Sequence, residues 1–469
     1  MPKSIFFTKI GLPVFIFLLV SACDVQHNPT ETNLVEAVPF SLDELQNRTF
    51  DYFWELADTS NFQIPDRYPQ KTFSSIAATG FGLTSYIVGV EKGYVSREDV
   101  AARVLNTLKV LFELPQGDQE AGKSGYKGFF YHFLTYEKAT RYKNVELSTI
   151  DTALLMAGML SVQSYFNQDD PTEEKIRNMV DALYRRVEWD WFMTDEGVMS
   201  MGWKPESGKI NYNWTGYSEG MILYILALGS PTHSIPADAW TNWTKTYPWD
   251  TFQGQTFVNY SPLFVHQYSH MYIDFKGIQD AYMKEKGIDY FENSRRATLA
   301  NKNYCLENPR SCVGYAENNW GLTACDGPGY KEAEVNGQKW LFLGYSARGA
   351  SSVYTTDDGT IAPTAAGGSM PFAPEICLPA LAFMWETYYD DLVGPYGFKD
   401  AFNLTWTDDK TGKQGWFDDD YLGIDQGPIL IQIENYQSAL IWNVMKNNPY
   451  IVQGLKKAGF TGGWLEDVQ

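Results

Sequence analysis

Apolar residues recur at helical spacing through most of this chain, and that spacing is the dominant pattern in the sequence. After Ser41, the residues Leu45, Phe50 and Phe53 fall near one face of a helix. Ser41-Leu-Asp-Glu44 fits a capping box, in which a serine side chain accepts a hydrogen bond from the backbone of the first turn. The same criteria predict about a dozen helices: Ser41–Leu56, Ser75–Val90, Ser96–Phe112, Ser148–Tyr165, Pro171–Phe192, Ser218–Leu228, Pro236–Thr246, Ile278–Glu285, Tyr290–Glu307, Pro374–Tyr389, Gly427–Val444 and Tyr450–Ala458.

Long connections rich in Gly, Trp, Tyr and Asp separate several of these helices: Gln116–Glu146, Asp195–Tyr217, Val313–Gly368 and Phe398–Asp425. Long ordered loops in a compact domain usually carry function. Helices that take turns facing inward and outward, with elaborate loops at one end, describe an all-α fold of the α/α toroid type. The sequence shows no linker after Pro39, so we expect a single domain over residues 40–469. A helical solenoid, which would need a fixed repeat, and two helical domains are the alternatives.

The N-terminus has the pattern of an export signal. Lys3 and Lys9 precede an apolar run, Ile10–Val20, and small residues lead to Cys23. The run is short and broken by a proline, which disfavours a membrane-spanning helix. Val-Ser-Ala-Cys resembles a bacterial lipobox, so we expect residues 1–22 to be a lipoprotein signal peptide and Cys23 to be lipidated. Residues 23–39 are then a flexible tether, and the protein is placed in the periplasm or at the outer membrane.

Composition and charge narrow the partners. The formal net charge of −20 disfavours nucleic acids and anionic lipid surfaces as binding partners. We therefore expect the protein to contact the membrane only through its N-terminal lipid. Aromatic residues make up 16% of the chain, which suits either an aromatic core or platforms for sugar rings. The histidines form no HExxH motif and the cysteines no CxxC pair, so we expect no metal and no cofactor. Cys305 and Cys312 close a short loop and are the expected disulfide pair.

The first candidate for acid–base chemistry is Glu219. It follows Trp214 and Tyr217 and precedes the apolar run Met221–Leu228. Partial burial among these aromatics would raise the pKa of its carboxyl, as a general acid requires near neutral pH. The simpler interpretation is that Glu219 only offsets the helix dipole from the first turn.

Further carboxylates lie at other predicted helix starts. Asp151 fits a capping box with Ser148, whereas Glu146 lies just outside the helix and has no such role. Asp425 stands between an apolar residue and a Gln-Gly-Pro turn, and capping of the next helix would also explain it. The run Asp418–Asp420 is expected to be solvated. Glycoside hydrolysis needs two carboxyl groups that flank the bond, together with platforms that hold the sugar.

Four segments resemble those of the bacterial glycoamylase-like proteins, a family that includes β-1,2-glucanases and a module of cyclic β-1,2-glucan synthases. The segments are Ser74-Ser-Ile-Ala-Ala-Thr-Gly-Phe-Gly82, Trp214-Thr-Gly-Tyr-Ser-Glu-Gly220, Asp358-Gly-Thr-Ile-Ala-Pro-Thr-Ala-Ala-Gly-Gly368 and Leu422-Gly-Ile-Asp-Gln-Gly-Pro428. The similarity runs from about Leu42 to Phe460. It implies an (α/α)6 barrel, hydrolysis of a β-1,2-linked glucan without a metal, and inversion at the anomeric carbon.

The resemblance also implies roles for residues. The family motif that carries a proposed catalytic acid matches the segment with Glu219, which favours the catalytic interpretation of that residue. The base is left open between Asp151 and Asp425, with Glu146 as a further candidate. Substrate contacts are expected from residues in the matching segments: Trp203, Trp214, Tyr217, Gln267, His270, Trp320, Asp326, Arg348 and Glu434.

Two rival functions use the same features. A polysaccharide lyase on a similar toroid would need a Tyr or His base, for which Tyr268 and His270 could pair, and basic residues to neutralise a uronate. The acidic composition disfavours it. A non-catalytic glycan-binding lipoprotein would use the aromatic residues without a carboxylate pair.

Overall fold

Fifteen α-helices form the framework of the computed structural model, which describes residues 39–335, 337–408 and 411–468. The predicted signal peptide, the lipidation site Cys23 and residues 24–38 of the tether lie outside the described residues. The helices are α1 Leu42–Leu56, α2 Ile76–Glu91, α3 Arg97–Glu113, α4 Thr149–Tyr165, α5 Pro171–Arg185, α6 Met221–Gly229, α7 Asp238–Thr244, α8 Ala281–Lys286, α9 Tyr290–Glu307, α10 Pro363–Gly367, α11 Pro374–Thr387, α12 Tyr389–Leu392, α13 Gly423–Ser438, α14 Leu440–Met445 and α15 Pro449–Lys457. Short 3-10 helices cover Trp189–Phe192, Leu263–His266, Tyr268–Met271 and Gly463–Glu466.

Several helices begin at the capping residues that the sequence indicates. The hydroxyls of Ser41, Ser96 and Ser148 each accept a hydrogen bond from a backbone N–H in the first turn of α1, α3 and α4. These bonds satisfy donors that the helix itself leaves free. All twelve predicted helices exist, and α9 has the predicted bounds.

Three predicted boundaries are wrong. The helix predicted over Pro171–Phe192 ends at Arg185, and a separate 3-10 helix covers Trp189–Phe192. The helix predicted from Gly427 starts four residues earlier, at Gly423, and breaks at Ala439, whose φ is 57°. A Cβ atom at Gly427 would lie 2.3 Å from the Phe81 ring, so the small residues of Gln-Gly-Pro serve close packing of α13 rather than a turn.

Two kinds of helix alternate along much of the chain. Helices α2, α4, α6 and α13 are buried on nearly every side, whereas α3, α5 and α15 are amphipathic. Helix α2 packs on α4 and α13, and α4 also packs on α6. The amphipathic helices cover these buried ones from outside, as α15 does for α6. Residues Val38–Gln469 form one compact unit.

The described strands are short and lie in the long connections. They are β1 Arg67–Tyr68, β2 Phe73–Ser75, β3 Gly125–Tyr126, β4 Phe129–Phe130, β5 Phe133–Thr135, β6 Leu147–Ser148, β7 Gly202–Lys204, β8 Gly208–Lys209, β9 Trp249–Phe252, β10 Gln255–Val258, β11 Ala324–Cys325, β12 Lys331–Val335, β13 Gln338–Phe342, β14 Ser346–Ala347, β15 Gly349–Ala350, β16 Thr355–Thr356, β17 Thr360–Ile361, β18 Val393–Gly394, β19 Gly397–Phe398, β20 Phe402–Thr407, β21 Gln414–Phe417 and β22 Tyr421–Leu422.

The strands pair in small antiparallel sheets. Strands β12 and β13 form a hairpin, β17, β20 and β21 a three-stranded sheet, and β6, β7 and β8 another. Strands β1 and β22 bring Arg67 opposite Leu422, which joins the connection before α2 to the start of α13. The sheets therefore tie the long loops to the N-terminal ends of the buried helices.

The predicted Cys305–Cys312 bridge is wrong. All four cysteines of the described residues are free and buried. The Sγ atom of Cys312 faces an oxygen of Asp357 at 3.7 Å instead, and that carboxylate also accepts the hydroxyl of Tyr315 at 2.7 Å. Among the described helices, none has the length and hydropathy that crossing a bilayer requires.

Candidate active site

Three of the four predicted catalytic carboxylates lie at the N-terminal ends of buried helices. Asp151 is in the first turn of α4, Asp425 is in the first turn of α13, and Glu219 lies two residues before α6. Tyr268 belongs to the 3-10 helix beside α6 and α13. Burial raises the pKa of its hydroxyl well above the usual range, and the carboxylates of Asp425, Glu219 and Asp151 raise it further. All three carboxylates therefore lie within electrostatic reach of one hydroxyl.

Glu219 is partly buried and has the electrostatics of a proton donor. Burial raises the pKa of its carboxyl to about 7, and the Asp151 carboxylate contributes to that rise. The Ser269 hydroxyl donates to the Glu219 carbonyl at 3.1 Å and accepts from the N–H of Ile222 at 3.0 Å. This hydroxyl fixes the backbone on both sides of the turn. Glu219 precedes the first turn of α6. It therefore does not offset the helix dipole from within that turn, as the simpler interpretation of the sequence requires.

His132 connects two of the candidate carboxylates. Its Nδ1 lies 2.8 Å from Glu146 Oε1 and its Nε2 lies 3.5 Å from Asp151 Oδ1. Burial lowers the pKa of His132, but Asp151, Glu146 and Asp66 outweigh it and raise the pKa to about 9. Burial likewise works against ionisation of Glu146, yet its bond to His132 lowers the pKa to about 2. Glu146 therefore stays ionised and is unsuited to donate a proton.

The capping box of α4 holds Asp151 in place. The Ser148 hydroxyl accepts from the Asp151 N–H at 3.2 Å and lies 2.5 Å from Asp151 Oδ2. Burial raises the pKa of the Asp151 carboxyl, while His132 favours its ionised form. Both oxygens of Asp151 thus have partners within the protein.

Asp425 is paired with a second buried carboxyl, Asp400. Burial raises the pKa of Asp400 well above its usual range, and the Asp425 carboxylate raises it further. Burial also raises the pKa of Asp425 to about 7, and the hydrogen bond with Asp400 works in the opposite direction. The pair therefore holds a proton on Asp400 first, and this proton stabilises the ionised form of Asp425.

Acidic side chains extend from this pair toward solvent, with Arg67 among them. The Arg67 guanidinium donates to Asp326 at 2.8 Å, to Asp420 at 3.2 Å and to Asp66 at 3.2 Å. Carboxylate oxygens of Asp326, Asp418 and Asp420 lie within 4.8 Å of one another, close enough to share a cation, although Arg67 already binds two of them. We name Asp66, Asp326, Asp400, Asp418, Asp420 and Asp425 the acidic wall.

The expectation that Asp418 is solvated is wrong. Asp418 is buried, and burial beside Asp400 and Asp326 raises the pKa of its carboxyl to about 8. Only the middle residue of the Asp418–Asp420 run, Asp419, is exposed. The β20–β21 sheet turns Asp418 inward, where its N–H donates to the Ala401 carbonyl.

A cavity of about 320 Å³ lies beside His132 and Asp151 and reaches one member of the acidic wall, Asp66. Its volume is that of a small-ligand site. It is lined by Asp66, Arg67, Phe73, Ser75, His132, Phe133, Asp151, Tyr345, Leu422 and Ile424. A lining that combines charged side chains with aromatic rings suits a ligand that carries both hydroxyls and apolar faces, such as a sugar.

The structure places most of the predicted substrate contacts away from this cavity. Trp214 is buried and donates its indole N–H to Thr149 at 3.0 Å. Tyr217 has no exposed surface and stacks on His266. Trp203 is only partly buried, in β7, and its ring meets Tyr126 and Trp191. These aromatics support the loop that carries Glu219 rather than line the cavity.

Other predicted contacts are buried in the framework. Gln267 donates to Ala365 and Ser369 of the α10 region, and His270 Nε2 bonds to Ser294 Oγ at 3.0 Å. His270 therefore does not pair with Tyr268, whose hydroxyl donates to the Ile424 carbonyl. Trp320 is fully buried in a second hydrophobic cluster.

Arg348 and Glu434 have structural partners as well. Arg348 makes a buried ion pair with Asp358, at 2.7 Å. Glu434 lies in the last part of α13, where it accepts from Gln46 at 3.1 Å and meets Lys92 at 3.3 Å. It is nine residues from Asp425, or about 13 Å along the helix. Of the nine predicted contacts, Asp326 is the one that belongs to the acidic wall.

Several site residues escaped the sequence analysis. His132, Asp66, Asp400 and Tyr345 lie in connections whose course no local pattern predicts, far apart in sequence. One available signal was the two adjacent charged residues Asp66 and Arg67 just before the family motif at Ser74. Charged side chains next to a buried segment need partners of opposite charge.

Comparisons with known proteins identify the family. The sequence model of the glycoamylase family, described as "Putative glucoamylase", matches residues 211–449. A protein of Bacteroides uniformis ATCC 8492 that carries the same description has a solved structure with a TM-score of 0.77 and 34% identity, covering 91% of this chain and 99% of that one.

Two further relatives have named activities. The endo-β-1,2-glucanase of Chitinophaga pinensis, solved with sophorotriose and glucose, has a TM-score of 0.78 and 30% identity over 91% of this chain and all of that one (100%). The exo-β-1,2-glucooligosaccharide sophorohydrolase of Parabacteroides distasonis is 29% identical over 89% of this chain. This chain spans 57% of the length of that curated relative.

Proposed function

Because this chain belongs to the glycoamylase family, we propose that it is a glycoside hydrolase that cleaves β-1,2-glucan by acid–base catalysis with two carboxylates. The observation that carries the proposal is that Glu219, Asp151 and Asp425 all lie at the N-terminal ends of the buried helices α6, α4 and α13, which are linked by packing through α2 and α4. Relatives that act on β-1,2-linked glucans support the choice of linkage.

Glu219 is the proposed general acid. Its carboxyl must carry a proton when the glycosidic oxygen leaves, and a pKa of about 7 keeps a large fraction protonated near neutral pH. Glu146, with a pKa of about 2, is ionised and acts through His132 as a positioning residue instead.

Asp425 is the proposed general base. A base must be ionised to accept a proton from water, and the proton held on Asp400 favours the ionised form of Asp425. Asp151 is the less suitable group because Ser148 and His132 already contact its oxygens. If Asp151→Asn abolishes turnover while Asp425→Asn leaves it intact, Asp151 is the base instead.

The reaction is proposed to invert the anomeric carbon. An inverting enzyme holds its acid and base roughly 6.5–9.5 Å apart, with a water between them. Proton NMR during early turnover then detects the α-anomer first. A first product in the β-configuration would mean retention and would require a closer pair of carboxylates.

The helices are proposed to close into an (α/α)6 barrel. Its inner layer would comprise α2, α4, α6, the 3-10 helix Tyr268–Met271, α10 and α13. Contacts link α2 to α4, α4 to α6, α6 to the 3-10 helix, α10 to α13 and α13 back to α2. Bonds from Gln267 to α10 and the adjoining Ser369 complete the circuit. A crystal structure in which any of these neighbours is separated by another helix would contradict the closed ring.

Export and lipid anchoring at Cys23 are proposed from the lipobox-like sequence. Cys23→Ser should move the protein from the membrane fraction to the soluble fraction. Membrane association that is unchanged by the substitution would refute the anchor.

The substrate is tested by incubating the protein with a panel of α- and β-linked glucans and separating the products. We expect short oligosaccharides from β-1,2-glucan, and none when Glu219→Gln replaces the parent. Products from another glucan alone would overturn the proposed linkage. Products that absorb as unsaturated sugars would indicate a lyase, and binding without turnover a glycan-binding protein.

A further inference from the structure

Two neighbouring tyrosines, of which Tyr345 lines the cavity, have unusually exposed side chains. Tyr330 is 74% exposed and Tyr345 is 50% exposed. Among the described residues most other aromatic side chains are buried, and several of the largest have no exposed surface at all. A large aromatic ring held at the edge of a polar cavity is a feature of binding surfaces.

Tyr345 lines the cavity described above, together with His132 and the candidate carboxylate Asp151. Burial and the carboxylates of Asp425, Asp400 and Asp66 raise the pKa of the Tyr345 hydroxyl well above the usual range. The side chain therefore lies within electrostatic reach of these carboxylates while half of its surface stays exposed.

Tyr330 is held directly beside Tyr345. Its hydroxyl donates to the Tyr345 carbonyl at 3.3 Å. A Cβ atom at Gly344 would lie 3.1 Å from the Tyr330 ring, so this glycine lets the ring lie close to the backbone. The two rings thus flank one short segment of chain.

A buried ion pair fixes that segment from beneath. Arg348 donates to the carbonyls of Leu343 and Gly344, each at 3.1 Å, and the Leu343 N–H donates to Asp358 at 2.9 Å. On the far side, Trp340 and Phe342 of β13 are buried against Trp406. The rings are therefore carried on a rigid support, which reduces the entropy lost when a ligand binds.

We propose that Tyr330 and Tyr345 form a sugar-binding platform that holds a glucosyl unit of the substrate beyond the bond that is cleaved. The platform rests on the proposed function, since its occupant is a further unit of the same glucan. An exposed tyrosine offers an apolar face for a sugar ring and a hydroxyl for hydrogen bonding, and it has few rotatable bonds to immobilise. This placement makes chain length a determinant of affinity.

The test compares Tyr330→Ala with the parent on β-1,2-linked gluco-oligosaccharides of increasing length. We expect kcat/KM for the longer substrates to fall about tenfold, mainly through KM, because a lost contact of about 1.4 kcal/mol changes an equilibrium constant by that factor. The shortest cleaved substrate should be hydrolysed as by the parent, and Tyr330→Phe should retain most of the affinity. The control is Tyr436→Ala, which removes another exposed tyrosine (42%) from the last turn of α13.

The outcomes separate the platform from the proposed function. If the parent cleaves β-1,2-glucan and Tyr330→Ala matches it at every chain length, the platform is refuted while the function stands. If the parent leaves β-1,2-glucan intact, the function fails, and the platform is then tested on any panel glucan that the parent binds. If Tyr330→Ala binds that glucan as tightly as the parent does, the platform is refuted. If the parent binds no glucan, both the platform and the proposed function are refuted.

Discussion

At the residue scale, the surroundings give carboxyl groups of the same chemical type very different pKa values. Glu146 and Glu219 are both glutamates beside the same cluster, yet the pKa of one falls to about 2 and that of the other rises to about 7. The first is bonded to His132, while burial and the Asp151 carboxylate act on the second. Such divergence between neighbouring carboxyls is what assigns acid and base roles in a site.

Replacing Glu219 tests its role directly. Glu219→Gln keeps the shape of the side chain but cannot donate a proton, so turnover should fall by roughly 10²–10⁴-fold. The melting temperature should change little, since the neutral amide is no costlier to bury than the carboxylate. Turnover and melting are measured on the same preparation. Glu196→Gln, an exposed glutamate that accepts from Asn213 in the same loop, is the matched control. A turnover close to that of the parent would remove Glu219 from the acid role.

The pH dependence of activity follows from the proposed acid and base together. The raised pKa of Glu219 means that its carboxyl loses its proton above about pH 7, and Asp425, with a pKa also about 7, gains a proton below that value. We therefore expect kcat/KM to be highest near pH 7 and to decline on either side, by about tenfold per pH unit once each limb is developed. A pH–rate series from 5 to 9 measures this, and a profile that stays flat to pH 9 would contradict it.

At the scale of elements, glycines set how closely the buried helices approach. A Cβ atom at Gly158 of α4 would lie 2.1 Å from the Gly80 carbonyl of α2, and one at Gly80 would lie 2.5 Å from the Leu154 carbonyl. The two helices are in backbone contact at this point. Because α2 follows Asp66 and α4 carries Asp151, their spacing also sets the width of the cavity.

Gly158→Ala tests this contact with a result of definite sign. Helix propensity alone would stabilise α4 by about 1 kcal/mol. The added methyl group instead has to separate α2 from α4, and overpacking of that kind costs about 1–3 kcal/mol. We expect a lower free energy of unfolding in denaturant titrations, together with reduced turnover. A more stable variant would show that α2 and α4 accommodate the added methyl group without moving apart.

At the scale of the whole molecule, the architecture gathers acidic groups at one end of the buried helices. The acidic wall contains six aspartates, and Arg67 forms ion pairs with three of them. Burial raises the pKa of Asp66 to about 6 and that of Asp418 to about 8, so ionisation of these groups opposes folding. The site therefore reduces the stability of the fold that contains it.

Relieving one of these charges should stabilise the protein. A carboxyl with a raised folded-state pKa costs stability as it ionises, so for Asp418 the cost begins above pH 3.8 and is complete only above about pH 8. Asp418→Asn should therefore raise the free energy of unfolding by about 1–3 kcal/mol at pH 8 and by much less at pH 4. The asparagine oxygen can still accept from the Asp420 N–H.

The neighbouring residue supplies the control for that experiment. Asp419 is exposed and lies 3.5 Å from Lys399, so Asp419→Asn should leave stability within about 0.5 kcal/mol of the parent at both pH values. Equal effects of the two substitutions, or a destabilised Asp418→Asn variant at pH 8, would contradict the interpretation of the acidic wall.

The sequence by itself determined the helices, the family and the positions of the main carboxylates. Apolar periodicity and serine caps act within one or two helical turns, so α1, α3, α4 and α9 could be found from local residues. The resemblance to the glycoamylase family is confirmed. Glu219, Asp151 and Asp425 were found because each lies beside a helix start or a family motif.

Tertiary structure alone decided which residues share the site. His132 and Tyr345 reach the cavity through loops that follow no period, and Asp400 meets Asp425 in the same way. The effect of these polar groups on one another depends on their burial side by side. Arg348 and Glu434 lie in matching segments too, but their partners are Asp358, Gln46 and Lys92, away from the cavity. Local patterns specify which backbone bonds form, whereas desolvation and pairing of charges depend on residues that are distant in sequence and meet only in the folded chain.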